Sequence, residues 1–124
     1  MDREKFRGLV ARAVDSLPEE FCAKLENIDV VVEDWPTQYQ LAEVGLRHHQ
    51  TLLGLYQGVP QTKRSRYYGL VPPDKITIFQ KPIEAKCRYE AEITAEIQRV
   101  VRHEIAHHFG IGDARLRQIE GGED

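Results

Sequence analysis

One segment near the C-terminal end of the chain restricts its fold more than any other. It is an H-E-x-x-H sequence at His103–His107. In a helix, side chains four residues apart lie on one face, so the imidazoles of His103 and His107 can reach a single metal ion. Glu104 lies about 100° around the helix axis, where a carboxylate can hold a water beside the metal without binding the metal itself. The segment therefore predicts a helical metal site with a general base next to it.

The apolar residues that precede this motif predict one long helix over residues 90–109. They recur at spacings of three and four residues, and the stripe consists of Ile93, Ile97 and Val100. Glu104 and His107 continue the stripe, so packing against a core would hold the motif on a rigid element. An ionised glutamate is seldom placed against a core without a partner, which favours a functional role for Glu104.

Asp113 is the candidate third metal ligand, and Gly110 is the structural turn that would bring it into place. A glycine after a helix can adopt a positive φ and turn the chain sharply back over the histidines. Asp113 also stands where a carboxylate could cap the next helix, and its two oxygens allow both roles. The sequence leaves ligand, cap or both open. The sequence thus predicts that His103, His107 and Asp113 bind one Zn²⁺ per chain. His108 points about 100° away from His107 and is interpreted as structural.

Length, composition and charge exclude several classes of protein. The chain has 124 residues, 41% of them hydrophobic and 30% charged, which predicts a single domain over 1–124. A formal net charge of -3 gives no reason to expect a nucleic-acid partner. The apolar runs are too short to span a membrane, and the first residues lack the apolar core of a secretory signal. We therefore expect a cytoplasmic protein, and the sequence does not indicate its oligomeric state.

The remaining patterns predict an α+β domain. Apolar residues spaced by three and four positions predict an N-terminal helix up to Leu17. The β-branched segment Ile28–Glu33 predicts a buried strand, and Leu52–Pro60 can hold a short one. The alternation over Lys75–Gln80 is typical of a strand in an antiparallel sheet. Together these elements predict helices, among them the helix with the H-E-x-x-H motif, packed against a small mixed or antiparallel sheet.

Several segments resemble the small bacterial zincin-like metallopeptidases, which are also called minimal zincins. The segments extend over nearly the whole chain and are Asp15–Phe21, Val31–Asp34, Leu53–Pro60, Pro73–Phe79 with Pro82-Ile83, and His103–Asp113. The resemblance implies a compact zincin-type fold in which two histidines and an aspartate bind the metal and a glutamate is the catalytic base. These residues are His103, His107, Asp113 and Glu104. The resemblance implies little about the substrate.

The leading hypothesis is a zinc-dependent peptidase that acts on a peptide or protein substrate. A metal-activated water would attack a peptide carbonyl, with Glu104 as the general base. Tyr56 is one of three tyrosines in the irregular middle of the chain that could stabilise an oxyanion. The alternative is a metal-binding or protein-interaction module with the same fold and little or no proteolytic activity. This alternative rests on the small size of the chain and on the lack of an identifiable oxyanion donor.

The predicted substrate-binding residues lie on the strand that is nearest in sequence to the motif. They are Ile76, Thr77, Ile78 and Phe79, with Tyr56 on the opposing side. Zincins commonly bind extended peptides along an exposed sheet edge. Proline cannot donate to a ladder, so the flanking Pro73 and Pro82 suit an edge strand. We therefore expect Ile76–Phe79 to border the metal site, with Leu55–Pro60 as the opposite wall.

Overall fold

A computed structural model describes residues 1–45, 52–58 and 73–121, without the side chains at 113, 120 and 121. The elements in chain order are α1 (Arg3–Asp15), α2 (Glu19–Leu25), β1 (Ile28–Glu33), α3 (Gln38–Glu43), β2 (Gly54–Gln57), β3 (Asp74–Phe79), α4 (Gln80–Lys86), α5 (Glu90–Phe109) and α6 (Asp113–Gly121). Helices pack on a small mixed sheet, so the predicted α+β class is confirmed. Within these ranges, no helix combines the length and the hydropathy that crossing a membrane requires.

The sheet has the strand order β1-β3-β2, which places β3 in the middle. β1 runs parallel to β3, with Ile28 opposite Asp74, and β2 runs antiparallel to it, with Gly54 opposite Ile78. The predicted strand at Ile28–Glu33 is confirmed in its bounds, but its side chains are mostly half-buried instead of buried. β1 has this exposure because it lies at one edge of the described sheet, and β2 lies at the other.

The prediction that Ile76–Phe79 forms a substrate-binding edge is wrong. The side chains of Ile76, Thr77, Ile78 and Phe79 are all fully buried, and β3 is paired on both sides, so no edge remains for a peptide. The flanking prolines are misleading because they lie outside the ladder. Pro73 precedes β3, and Pro82 lies in the first turn of α4, where a missing N–H breaks no hydrogen bond.

The core forms where α1 and α5 cover one face of the sheet. Its largest fully buried members include Phe6, Phe21, Ile76, Ile78, Ile83, Ile97 and Ile105. The predicted α5 stripe of Ile93, Ile97 and Val100 is buried, together with Val101 and Ile105. Each fully buried side chain of this size contributes about 1.5–3 kcal/mol relative to an exposed one. The C-terminal half of α5 is therefore a rigid support for the motif.

Gly54 allows β2 to lie directly against α5. A Cβ atom at this position would collide with Cγ1 of Val100 and would lie 3.2 Å from the backbone oxygen of Thr77. The strand and the helix can approach this closely because position 54 has no side chain. This contact fixes which part of β2 faces the motif, one turn further along α5.

Candidate active site

The H-E-x-x-H motif lies in the C-terminal half of α5, and its polar side chains differ in exposure. His103 and His107 are exposed, whereas Glu104 is half-buried. Ile105 and Ala106 between them are buried, so the core fixes the orientation of this turn of the helix. The two imidazoles are thus accessible from solvent, and the carboxylate next to them is covered.

Glu104 is held by the backbone of the edge strand β2. Its Oε1 accepts a hydrogen bond of 2.9 Å from the backbone N–H of Tyr56. Burial raises the pKa of Glu104, while the Tyr56 N–H and the charges of His107 and His103 act in the opposite direction. A raised pKa brings the carboxylate closer to the neutral range, where a general base exchanges protons most effectively.

The Tyr56 N–H points away from the sheet, which places Glu104 at the outer edge of β2. The Phe79 N–H donates to the Leu53 carbonyl at 3.0 Å, so these opposed residues form a hydrogen-bonded pair. Such pairs alternate with non-bonded pairs in an antiparallel ladder. Gly54 and Tyr56 therefore direct their backbone groups away from β3. In the part of the chain that the structure describes, no further strand pairs with this edge.

The Tyr56 side chain reaches two other elements. Its hydroxyl donates to Asp74 Oδ2 at 2.7 Å, at the start of β3. Its ring stacks on the imidazole of His108, with centroids 3.9 Å apart and an interplanar angle of 14°. A phenol has one proton, so a hydroxyl that donates to Asp74 does not donate to an oxyanion at the same time. A substrate-binding role for Tyr56 stays a prediction.

Gly110 ends α5 in the left-handed region. Its φ is 70° and its ψ is 29°, a conformation that glycine adopts at little cost. The N–H groups of Gly110 and Ile111 both donate to the Ala106 carbonyl, which is thereby satisfied at the helix end. The chain turns sharply after the motif because of this cap.

Asp113 is the first residue of α6 and not its N-cap. The Gly112 carbonyl accepts from the Leu116 N–H at 2.9 Å, so Gly112 occupies the N-cap position. The Asp113 side chain lies outside the described atoms, and its role as a metal ligand stays a prediction. The backbone places this residue three positions after the turn at Gly110.

The donor chemistry on α5 fits zinc. Among the side chains that the structure describes, which do not include that of Asp113, no three histidines, cysteines, aspartates or glutamates converge as a metal-binding group. The motif itself supplies two exposed imidazoles at i and i+4 on a packed helix, a spacing typical of zinc ligands. A third ligand would come from a group that is not among the described side chains.

Comparison with known proteins identifies the family. The model of the zincin-like metallopeptidases matches residues 25–123, which is most of the chain. The chain belongs to the zincin-like metallopeptidase family. A solved structure of a conserved hypothetical protein from Thermo thermophilus has a TM-score of 0.58 and 24% identity, over 88% of this chain and 94% of that chain, a similarity that shows the fold. No curated protein matches the chain.

Two features of this zincin-like site were not predicted from the sequence. The first is that β2 is the edge strand beside the motif. The predicted wall at Leu55–Pro60 includes most of β2, and the last two residues of that predicted wall lie outside the described ranges. The second is the contact between His108 and Tyr56. His108 follows Glu104 by four residues, and this spacing was the available signal that both face the same neighbour.

Proposed function

We propose that this protein is a zinc-dependent peptidase whose site lies between α5 and the outer edge of β2. The observation that carries the proposal is the 2.9 Å hydrogen bond from the Tyr56 N–H to Glu104. It holds a half-buried carboxylate at a strand edge with which an extended peptide can pair. His103 and His107 lie exposed on the same helix. Membership of the zincin-like metallopeptidase family supports this assignment.

His103 and His107 would hold the metal, with Asp113 as the third ligand and one zinc ion per chain. A bound zinc ion would supply Lewis-acid polarisation of the scissile carbonyl and would make the attacking water more acidic. Two neutral nitrogens and one carboxylate are a common ligand set for such an ion. Gly110 contributes through the turn that joins α5 to α6.

Glu104 would be the general base. Because burial raises its pKa, its carboxylate takes a proton from water more readily than an ordinary surface glutamate does. Oε1 of Glu104 accepts from the Tyr56 N–H. The second carboxylate oxygen of Glu104 can then accept the proton of the attacking water and return it to the leaving amine. The base and the strand that would hold the substrate are thus in direct contact.

The substrate would be a peptide or an extended protein segment. The outward backbone groups of Gly54 can pair with a main chain beside the Tyr56 N–H that is donated to Glu104, and such pairing gives affinity with little sequence preference. Cys22 and Cys87 are free thiols, in keeping with a reducing compartment such as the cytoplasm, which stays part of the proposal.

A mixture of diverse peptides, incubated with the zinc-loaded protein and analysed by mass spectrometry, tests the proposal. The wild type should cleave peptides. Glu104→Gln should keep about one zinc per chain and lose at least about 10²-fold in rate, because general-base catalysis contributes on that order. Glu92→Gln, an exposed change three turns earlier on α5, is the matched control and should cleave normally. Cleavage by Glu104→Gln at the wild-type rate would contradict the mechanism.

A binding module without proteolytic activity is the second candidate function. The observation that favours it is the hydrogen bond from the Tyr56 hydroxyl to Asp74, which removes the described tyrosine closest to Glu104 from oxyanion stabilisation. A wild type that binds zinc stoichiometrically but cleaves no peptide in the mixture would support this function.

A further inference from the structure

Tyr56 contacts two other elements, and it does so through three separate groups. Its hydroxyl reaches Asp74 on β3, its ring covers His108 on α5, and its backbone N–H reaches Glu104 on the same helix. Glu104 and His108 are one helical turn apart. The strand is therefore attached to α5 at two successive turns through a single residue.

We infer that Tyr56 and His108 are positioning residues that fix the edge of β2 against α5 and thereby set the orientation of the Glu104 carboxylate. The catalytic consequence rests on the proposed peptidase function, but the geometric claim does not. Neither residue has to touch the substrate or the reacting atoms in this role.

β2 needs such an attachment because, among the described residues, only one of its sides is in a ladder. β2 has four residues, and its hydrogen bonds to β3 control its position within the sheet, not its distance from the helix. The contact of Gly54 with Val100 and the stack of Tyr56 on His108 set that distance. Of these two contacts, only the stack involves Tyr56, the residue whose N–H holds Glu104.

The ring of His108, and not its nitrogen, makes the contact. Its Nε2 lies 3.9 Å from Asp74 Oδ2, beyond hydrogen-bonding distance, whereas the centroid of its ring lies 3.9 Å from that of Tyr56. The contact is a stack of two ring faces, and a phenyl ring offers Tyr56 the same kind of face as an imidazole does. Phenylalanine should therefore replace His108 without loss, and alanine should not.

Hydrogen exchange of the Tyr56 amide, measured by NMR in the zinc-loaded protein, tests the geometric claim without any activity measurement. His108→Ala should accelerate exchange at Tyr56 by about tenfold or more, while His108→Phe should stay within about threefold of wild type. The Val101 amide in the core of α5 is the internal control for global unfolding. If Tyr56 and Val101 accelerate equally in His108→Ala, the stack only adds stability and the inference is overturned.

Steady-state kinetics on a peptide that the wild type cleaves test the catalytic consequence. His108→Ala should lower kcat by about 10–100-fold, because misplacing a catalytic group by about 1 Å has an effect of this size. KM should change by less than about threefold and zinc should remain near one per chain, since the substrate edge and the ligands are intact. His108→Phe should restore kcat. If His108→Phe is as slow as His108→Ala while the Tyr56 amide stays protected, the imidazole and not the stack is required, and the inference fails.

Tyr56→Leu removes the same stack from the side of β2, and it replaces His108→Ala in both experiments if that variant does not fold. It should reproduce the faster exchange at position 56 and the lower kcat.

The peptidase proposal and the positioning inference fail in different ways. A wild type that cleaves nothing ends the peptidase proposal, although the exchange experiment still tests the positioning. A His108→Ala variant with normal exchange and normal kcat ends the positioning inference and leaves the peptidase proposal intact.

Discussion

At the scale of single residues, the site depends on a backbone conformation as much as on side-chain chemistry. Gly110 has a φ of 70°, and a Cβ added there would meet nothing within 4 Å. A substitution at this position therefore strains the backbone and causes no collision. Gly112, two residues later, also has open space around it and has no left-handed φ. Alanine substitutions at the two glycines therefore form a matched pair, because only the one at Gly110 requires a left-handed backbone conformation.

Gly110→Ala should lower the free energy of unfolding by about 1–2 kcal/mol, the usual penalty for a left-handed L-residue. Zinc affinity should fall as well, because in the proposed site the turn at Gly110 brings Asp113 toward the two histidines. Gly112→Ala should cost only about 0.5 kcal/mol, as expected for alanine at an N-cap, and should leave zinc affinity unchanged. Urea unfolding and calorimetric zinc titration measure the two effects. Equal stability of the two variants would show that the turn is not needed in its observed form.

Glu96 provides a residue-scale test of the electrostatics of α5, away from the metal site. A hydrogen bond from Arg99, opposed by burial and aided by Lys86, lowers the pKa of Glu96 from 4.5 to about 2. The unfolded state thus binds more protons between these values, so this stabilisation is complete above about pH 4.5 and is lost as the pH falls toward 2.

Glu96→Gln should therefore lower the free energy of unfolding at pH 7 by about 1 kcal/mol, a figure reduced for solvent screening because the side chains of Lys86 and Arg99 are 54% and 41% exposed. The difference from wild type should shrink as the pH is lowered from about 4.5 to 2. Chemical unfolding at a series of pH values measures it. A difference that is constant over this range would show that the ion pairs are not formed.

At the scale of secondary-structure elements, the contact between β2 and α5 holds the site together. Gly54 lets the strand lie on Val100, and one turn later Glu104 reaches the strand's outer edge. The two elements meet on the side of β2 that faces the core, while its outward backbone groups border the motif. A change that separates them should affect both the stability of the protein and the orientation of Glu104.

Gly54→Ala should destabilise the protein by about 1–3 kcal/mol, the usual effect of adding a methyl group to a packed contact. Val100→Ala in the same chain should recover part of this loss, because it removes the atom that the new methyl group meets. Gly8→Ala on α1 is the control; it has open space and should stabilise by about 0.5–1 kcal/mol. Thermal unfolding of the wild type, the two single variants and the double variant measures these differences. If adding Val100→Ala to Gly54→Ala destabilises the protein further, the close approach of β2 to α5 at these two residues would be contradicted.

Local elements could be predicted from the sequence, but their arrangement could not. The stripe of Ile93, Ile97 and Val100 reveals α5 because helical periodicity is a local property. The order of the strands is not local: the flanking prolines predict an edge position for β3, although its fully buried run is typical of a strand covered on both faces. β2 has only four residues, too few for a clear alternation.

At the scale of the whole molecule, the site combines segments that are distant in the chain. The motif residues lie within five positions and could be found from sequence, whereas Tyr56 is 48 residues from Glu104 and depends on tertiary packing. The same packing leaves two described sheet edges, β1 and β2, of which only β2 borders the motif. We therefore predict that an extended peptide binds at β2 and not at β1.

The most direct test is a crystal structure of zinc-loaded Glu104→Gln with an uncleaved peptide. The amide retains the acceptor for the Tyr56 N–H and removes the proposed general base, so the complex should persist. We predict zinc on His103 and His107, with the peptide extended along the outer edge of β2 at Gly54. A peptide paired with β1, or zinc bound away from the two histidines, would contradict the account.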